Sequence, residues 1–377
     1  MKKINWQFKL LYVIGIMAVV CGHSSTVGIP LLFDWFPPYS FQVGLFVFCS
    51  GYFSINSRDM ELFKFIRKQI KKLILPLLLW NLFYGILVSL MYRVGLPFCG
   101  EFNLINLIVM PFINGHQFYY NLGSWFVTPL FLLQVANMLM FKLLNQMKVK
   151  SKELVSFFAG LIIGILGGYL SGIGYNNSPF GLAFLRVVCM APFYELGILY
   201  RTKLEEKDRI PSLFYFFVIF IIQLFLINRY EEPITYSLSG CGFSHNVIIS
   251  YFAGFLAIAF WIRVSRILEP IIINSKIINC ISNNTYTIMV NHLFGFMITK
   301  LLFAITAKIT PYFQDFNFTR LKEDVGYFYL PNDIFLWYCV YILIGILVSL
   351  FMQYAVNKLK FFLIKILAHK SIIDIFT

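Results

Sequence analysis

Residues 64–92 read KFIRKQIKKLILPLLLWNLFYGILVSLMY. The second part, Leu73 to Tyr92, is 20 residues with no Asp, Glu, Lys or Arg. At ~1.5 Å per residue a helix of that length spans ~30 Å, the thickness of a bilayer's hydrocarbon core. The first part holds Lys64, Arg67, Lys68, Lys71 and Lys72, the kind of flank that stays on the cytoplasmic side of a spanning helix. One stretch therefore indicates both a fold class and a direction.

Outward from it, nine further apolar runs appear: Leu10 to Leu31, Ser40 to Ile55, Ser124 to Phe141, Leu154 to Ile173, Gly181 to Tyr200, Pro211 to Ile227, Val247 to Ile262, Tyr286 to Ile305 and Ile334 to Tyr354. The runs Ser40 to Ile55 and Val247 to Ile262 are the shortest. Leu104 to Ile113 is only ten residues and reads as an interfacial or re-entrant piece. The expected fold is all-α, a polytopic membrane bundle of about ten helices. The chain is 59% apolar and 13% charged, against about 25% charged in soluble domains, and no Pro/Gly/Ser-rich linker divides it, so residues 1–377 form one domain. Met1-Lys2-Lys3 before an apolar run imitates a signal peptide, but no small-residue cleavage site follows Gly22-His23-Ser24, and the run is kept as the first helix.

The net charge of +14 sits in short clusters between the runs. That pattern suits an anionic lipid surface and argues against a nucleic-acid partner. With the N-terminus inside, 24 Lys and Arg fall on the cytoplasmic side and 5 outside, leaving Arg186 and Lys300 within spans; both termini are therefore expected in the cytoplasm. The seven cysteines form no CxxC pair and no metal-ligand spacing, so neither a disulfide framework nor a metal site is expected. Cys99 and Cys241 fall on the outer side, where an oxidising compartment would allow a disulfide, though two unpaired cysteines are the expectation.

Ionisable groups in spans tend to face a cavity or a partner. Here they are His23, Arg186, Glu195, His292 and Lys300. His23 lies 14 residues beyond Lys9 and His292 lies 12 beyond Cys280, so both imidazoles sit ~15–20 Å from the inner boundary if the ninth helix begins near Cys280. At one depth they can share a cavity. A start at Tyr286 would place His292 shallower. The plain alternative is a pair of structural histidines, each bonded to a neighbouring helix. Arg186 and Glu195 are expected in structural ion pairs. The Ser57 to Lys72 loop is either a lipid anchor or a cytoplasmic phosphate site, two readings that spacing does not separate.

Several patterns together resemble the acyltransferase-3 family, integral membrane enzymes that O-acetylate bacterial surface glycans. They are Val20-Cys21-Gly22-His23, Leu45-Phe46-Val47-Phe48-Cys49-Ser50-Gly51-Tyr52, Phe65-Ile66-Arg67-Lys68-Gln69-Ile70-Lys71-Lys72 leading to Leu75-Pro76, Ser124-Trp125-Phe126, Phe193-Tyr194-Glu195-Leu196-Gly197, and Ile281-Ser282-Asn283-Asn284-Thr285-Tyr286 before Asn291-His292. No piece is specific alone; their order over nearly the whole chain is.

The resemblance implies a multi-pass protein of the bacterial cytoplasmic membrane that engages acetyl-CoA from inside and delivers the acetyl group to a sugar hydroxyl of a surface or exported polysaccharide. It implies that His23 is a general base or proton relay and His292 a second catalytic histidine. The acyl donor is expected at Lys9, Tyr12, Arg67, Lys68, Lys71 and Lys72, and acceptor contacts at Ser50, Trp125 and Glu195; no metal is implied. The family's arginine eleven positions before the first histidine is Tyr12 here, and its RxxR pattern reads Gln69 and Lys72, both of which weaken bidentate anion contacts. Acyl transfer also needs a proton acceptor in a site that excludes water from the thioester, which a membrane cavity with two histidines supplies. Trp35, Phe36, Tyr39, Tyr119 and Tyr120 read first as an interfacial aromatic belt and second as sugar-stacking rings. The competing class is a transporter or flippase, in which the same polar groups line a path; the halves show no matching broken helices.

Overall fold

The computed structural model describes residues 4–24, 35–96, 100–230 and 232–376, with side chains in the last helix as far as residue 362. Cys99 and the end of the first apolar run lie outside the described residues. Among the described residues nine helices are long and apolar enough to cross a membrane. They are α1 (Trp6–Ser24), α3 (Leu62–Arg93), α4 (Tyr119–Gln146, beginning as a 3₁₀ turn), α5 (Lys152–Gly172), α6 (Pro179–Leu204), α7 (Ser212–Arg229), α8 (Val247–Ile272), α10 (Thr285–Ile309) and α11 (Trp337–Phe376). Two shorter helices, α2 (Gln42–Ser54) and α9 (Lys276–Asn283), complete the set used below. The only strands in the described residues are Tyr236–Ser237 and Gly242–Phe243, paired antiparallel in the loop before α8.

The second expected span differs. α2 has 13 helical residues, ~20 Å at ~1.5 Å each, too short to cross alone. Pro37 and Pro38 bound it on one side and Asn56-Ser57 on the other, so its run never reaches bilayer length. Short 3₁₀ turns, Pro38–Ser40 and Ile55–Ser57, lengthen it at each end. It survives in the bundle because protein, not lipid, surrounds it: Leu45, Val47, Phe48 and Cys49 are buried. A Cβ on Gly51 would stand 1.9 Å from the Tyr194 carbonyl oxygen and one on Gly197 2.1 Å from that of Phe48. Only glycine at both places lets α2 and α6 approach backbone to backbone, the close packing that replaces the hydrophobic drive inside a membrane.

The decisive 64–92 stretch is a continuous helix through its basic part. It carries one wide turn, Ile70–Ile74, immediately before Leu75-Pro76; Pro76 cannot donate to the carbonyl four residues back, and a wider turn re-spaces the ladder there. The piece expected to be interfacial or re-entrant forms short helical turns, Ile105–Val109 and Met110–Ile113. The Asn81 side-chain amide on α3 donates to the carbonyls of Asn106 (2.9 Å) and Leu107 (2.8 Å), which pins it.

Inter-loop contacts divide the bundle into two ends. At the basic end Arg58 pairs with Glu153 at 3.1 Å, Tyr52 donates to Glu205 at 2.7 Å, and Arg263 and Arg266 both hold Asp208. At the opposite end Ser171 donates to the Cys241 carbonyl at 2.6 Å and Asn176 to that of Gly240 at 3.0 Å. Lys300 is buried within α10 and donates to the Val325 carbonyl at 3.0 Å, beneath the aromatic-rich segment that precedes α11.

Candidate functional site

His23 closes the last turn of α1, and His292 stands two turns into α10. His23 Nδ1 lies 2.8 Å from His292 Nε2, with the ring planes 9° apart. His292 Nδ1 is 2.9 Å from the Ile288 carbonyl oxygen. A carbonyl only accepts, so His292 carries its proton on Nδ1 and, as a neutral ring, accepts through Nε2. The proton in the inter-histidine bond therefore belongs to His23 Nδ1, and His23 Nε2 keeps a lone pair with no hydrogen-bond partner among the described residues. This tautomer follows from the hydrogen-bond network. The pair forms although α10 begins only at Thr285, the start that would make His292 the shallower of the two. Asn284 breaks the chain between α9 and α10, and Lys9 Nζ bonds Asn283 Oδ1 at 2.8 Å and Ser282 Oγ at 3.3 Å. Those contacts hold the end of α9 against the first turn of α1.

Two cavities lie back to back near this pair, and His23 lines one of them. The one toward the non-basic end, about 50 Å³, is lined by His23, Tyr39, Gln42, Trp125, Tyr236 and Ser239. The other, about 390 Å³, lies toward the basic end and is lined by Tyr12, Ser50, Lys72, Gln134, Ser282 and Tyr286. Phe46, Phe126 and Met289 belong to both walls, so a thin apolar partition separates them. A third cavity of about 550 Å³ at the basic mouth holds Lys9, Tyr52 and Arg201 and shares Tyr12 with the second. Four buried polar atoms on these walls have no hydrogen-bond partner among the described residues: Gln42 Oε1 and Tyr236 OH in the first cavity, Gln134 Oε1 and Tyr286 OH in the second. Unmet polar atoms of this kind are costly unless a ligand or water completes them.

The sequence-predicted residues divide by position. Tyr12, in the place of the family's arginine, lines both basic-end cavities, its ring 6.0 Å from that of Phe46. Lys72 lines the second cavity and Lys9 the third. Ser50 accepts from Gln134 Nε2 at 2.8 Å on the second cavity's wall. Trp125 belongs to the first. Arg67, Lys68 and Lys71 line neither cavity and are exposed on the outside of the helix, with Lys68 3.5 Å from Ser57 Oγ. Glu195 lines neither cavity; it is buried against Asn137, whose amide donates to Oε1 at 2.6 Å.

Among the described residues, the ion pairs expected for Arg186 and Glu195 are not formed. Arg186 reaches instead to the Ser239 carbonyl (2.7 Å), the Asn114 carbonyl (2.5 Å) and His116 Nε2 (3.4 Å), and lies 4.9 Å from the Trp125 ring centre. Several oriented dipoles and an aromatic face can hold a buried guanidinium where no carboxylate is near. His116 Nε2 also accepts from the Ser239 hydroxyl at 3.0 Å; burial, and then the Arg186 charge, push its pKa down to about 4. His116, Ser239, Gln42 and Tyr236 escaped the sequence reading because polar residues in loops, or singly within apolar runs, are ordinary. Cys241 is a free buried thiol, and no group of His, Cys, Asp and Glu among the described residues is suited to a metal ion.

A family model described as an acyltransferase domain matches residues 5–354. Neither the curated proteins nor the solved structures include a match to the chain.

Proposed function

The chain belongs to the acyltransferase domain family, and from that premise we propose that it is a membrane O-acyltransferase carrying an acetyl group from acetyl-CoA at the basic, cytoplasmic end to a sugar hydroxyl on the outer face of a bacterial cytoplasmic membrane. The observation that supports this most is the His23–His292 hydrogen bond on a cavity that only Phe46, Phe126 and Met289 separate from a second cavity toward the basic end. The charge asymmetry supports the orientation.

In this reading the larger cavity takes the pantetheine arm. Gln134 Oε1 is an acceptor for one of its amide N–H groups and the Tyr286 hydroxyl a donor to one of its carbonyls, which would satisfy both unpaired atoms. Lys9, Lys72 and Arg201 supply cations at the mouth for the CoA phosphates. The acceptor enters the smaller cavity from outside. His23 Nε2 takes the hydroxyl proton as the oxygen bonds to the thioester carbonyl carbon; the C–S bond then breaks and the imidazolium returns that proton to the departing sulfur. His292 holds His23 in the reactive tautomer and stabilises the imidazolium by accepting from Nδ1. For the thioester to reach the hydroxyl, the side chains of Phe46, Phe126 and Met289 between the two cavities must move aside, and their apolar surface keeps bulk water from the thioester.

The experiment is acetyl transfer by purified protein reconstituted in vesicles, with acetyl-CoA on the basic side and glycan on the other, followed by CoA thiol release and acetyl esters on the glycan. Acceptor-dependent thiol release that disappears in His23→Ala is expected. Wild-type protein that binds neither acetyl-CoA at millimolar concentration nor releases thiol sinks the proposal.

A further inference from the structure

A separate cavity of about 260 Å³ opens at the non-basic end between α7 and the start of α2, and no step of the proposed transfer uses it. Trp35 and Tyr230 stand in its wall with Pro37, Ser40, Gln223 and Glu232. Its polar chemistry is lopsided. Gln223 lines the cavity with a relative exposure of 8%, and its Nε2 is spent on the Trp35 carbonyl, which leaves its buried Oε1 with no partner among the described residues. The Ser40 hydroxyl donates to the Pro37 carbonyl at 2.8 Å, leaving its lone pairs. The Glu232 carboxylate accepts only. Tyr230 OH can act either way. An unpartnered amide oxygen in a cavity wall beside a carboxylate calls for a ligand rich in hydroxyl donors, and the indole and phenol rings offer apolar faces to the C–H side of such a ligand.

The volume falls just under the ~300 Å³ at which ordinary ligand pockets begin, room for a single sugar ring. Its position also matters. The 3₁₀ turn Pro38–Ser40 gives Ser40 to this cavity and Tyr39 to the reaction cavity, and the 234–236 stretch gives Ile234 to one and Tyr236 to the other. The two cavities thus lie back to back across two short segments.

We propose that the Gln223 cavity is a second acceptor subsite, binding through its hydroxyls a neutral sugar residue next to the one that is acetylated, so that the enzyme recognises an oligosaccharide at two points. This rests on the glycan-acceptor reading above. The test uses full-length protein in nanodiscs and a panel of tetrasaccharides of glucose, galactose, mannose, N-acetylglucosamine and N-acetylgalactosamine, with the monosaccharides alongside. At least one tetrasaccharide is expected to change tryptophan fluorescence saturably, and W35F to abolish that signal. Loss of one or two hydrogen bonds in Q223L should weaken binding about fivefold to tenfold. E232Q, at an exposed rim position with no fold to disturb, should weaken it about threefold. In acetyl transfer Q223L should raise KM for the tetrasaccharide by the same factor, with kcat and the kcat/KM for the monosaccharide within twofold of wild type. No binding by any member, or binding equal in Q223L and E232Q as for a lipid chain lying in the cavity, overturns the subsite. Transfer with an unchanged KM sinks the subsite alone. Weakened binding in Q223L without any transfer by wild type sinks the acyltransferase reading and leaves the subsite.

Discussion

Deleting the His23 imidazole is expected to cost about 10² to 10⁴ in kcat, the usual worth of a positioned base, or roughly 3 to 5 kcal/mol of barrier at about 1.36 kcal/mol per decade. His292 stands differently. It is fully buried, with Nε2 occupied by His23 and Nδ1 by the Ile288 carbonyl, so no nitrogen is left for substrate. His292→Ala removes one neutral hydrogen bond, about 1 kcal/mol, and releases the His23 tautomer and orientation; the expected loss is roughly 10- to 100-fold, smaller than for His23→Ala. Because His292 acts only through His23, the double variant should be no slower than His23→Ala, a non-additivity that a double-mutant cycle reads directly. The assay is the initial rate of acceptor-dependent CoA thiol release. Thermal inactivation is followed in parallel, since His23→Ala leaves the buried His292 Nε2 without a donor, at about 1–3 kcal/mol of stability. A double variant that loses the product of the two single losses, or a His292→Ala slower than His23→Ala, refutes the relay.

Lys9→Ala and Lys72→Ala should weaken acetyl-CoA binding, more so at low salt, whereas Arg67→Ala and Lys71→Ala, off the cavities, should change it less; calorimetric titration distinguishes them. Gly51→Ala should prevent stable assembly of α2 against α6, because the Tyr194 oxygen 1.9 Å from the new Cβ is backbone and must move; the readout is the monodisperse fraction on size exclusion. For His116 the depressed folded pKa, about 4 against 6.5, means that between those values the unfolded chain binds more protons. Stability should therefore fall as pH is lowered from about 6.5 to about 4, and less so in His116→Gln, measured by thermal inactivation across pH. Cysteine labelling in intact cells should reach positions near 238 and 320 but not those near 205 and 270; the reverse pattern would overturn the orientation.

The helices were legible in the sequence because lipid imposes a simple rule. A spanning segment must satisfy its own backbone and be apolar for about 20 residues, so length and composition locate it without knowledge of its neighbours. The basic clusters were legible because they sit between the apolar runs, although the partners of Arg58 and Arg263, Glu153 and Asp208, were not. α2 marks the edge of that rule: its 13 residues are too few for lipid, and only the glycine contacts with α6 show that protein encloses it. The two histidines stood out as ionisable groups in apolar runs, but their hydrogen bond, and with it the tautomer of His23, depends on how α10 packs against α1. Arg186 shows the limit from the other side. Its burial was readable from the run around it, whereas its partners are carbonyls of Asn114 and Ser239, 72 and 53 residues away along the chain. Hydropathy is local and additive, so the sequence by itself determined the spans and their charge asymmetry. Cavities, tautomers and charge partners depend on which faces of distant helices meet, and those the tertiary structure alone decided.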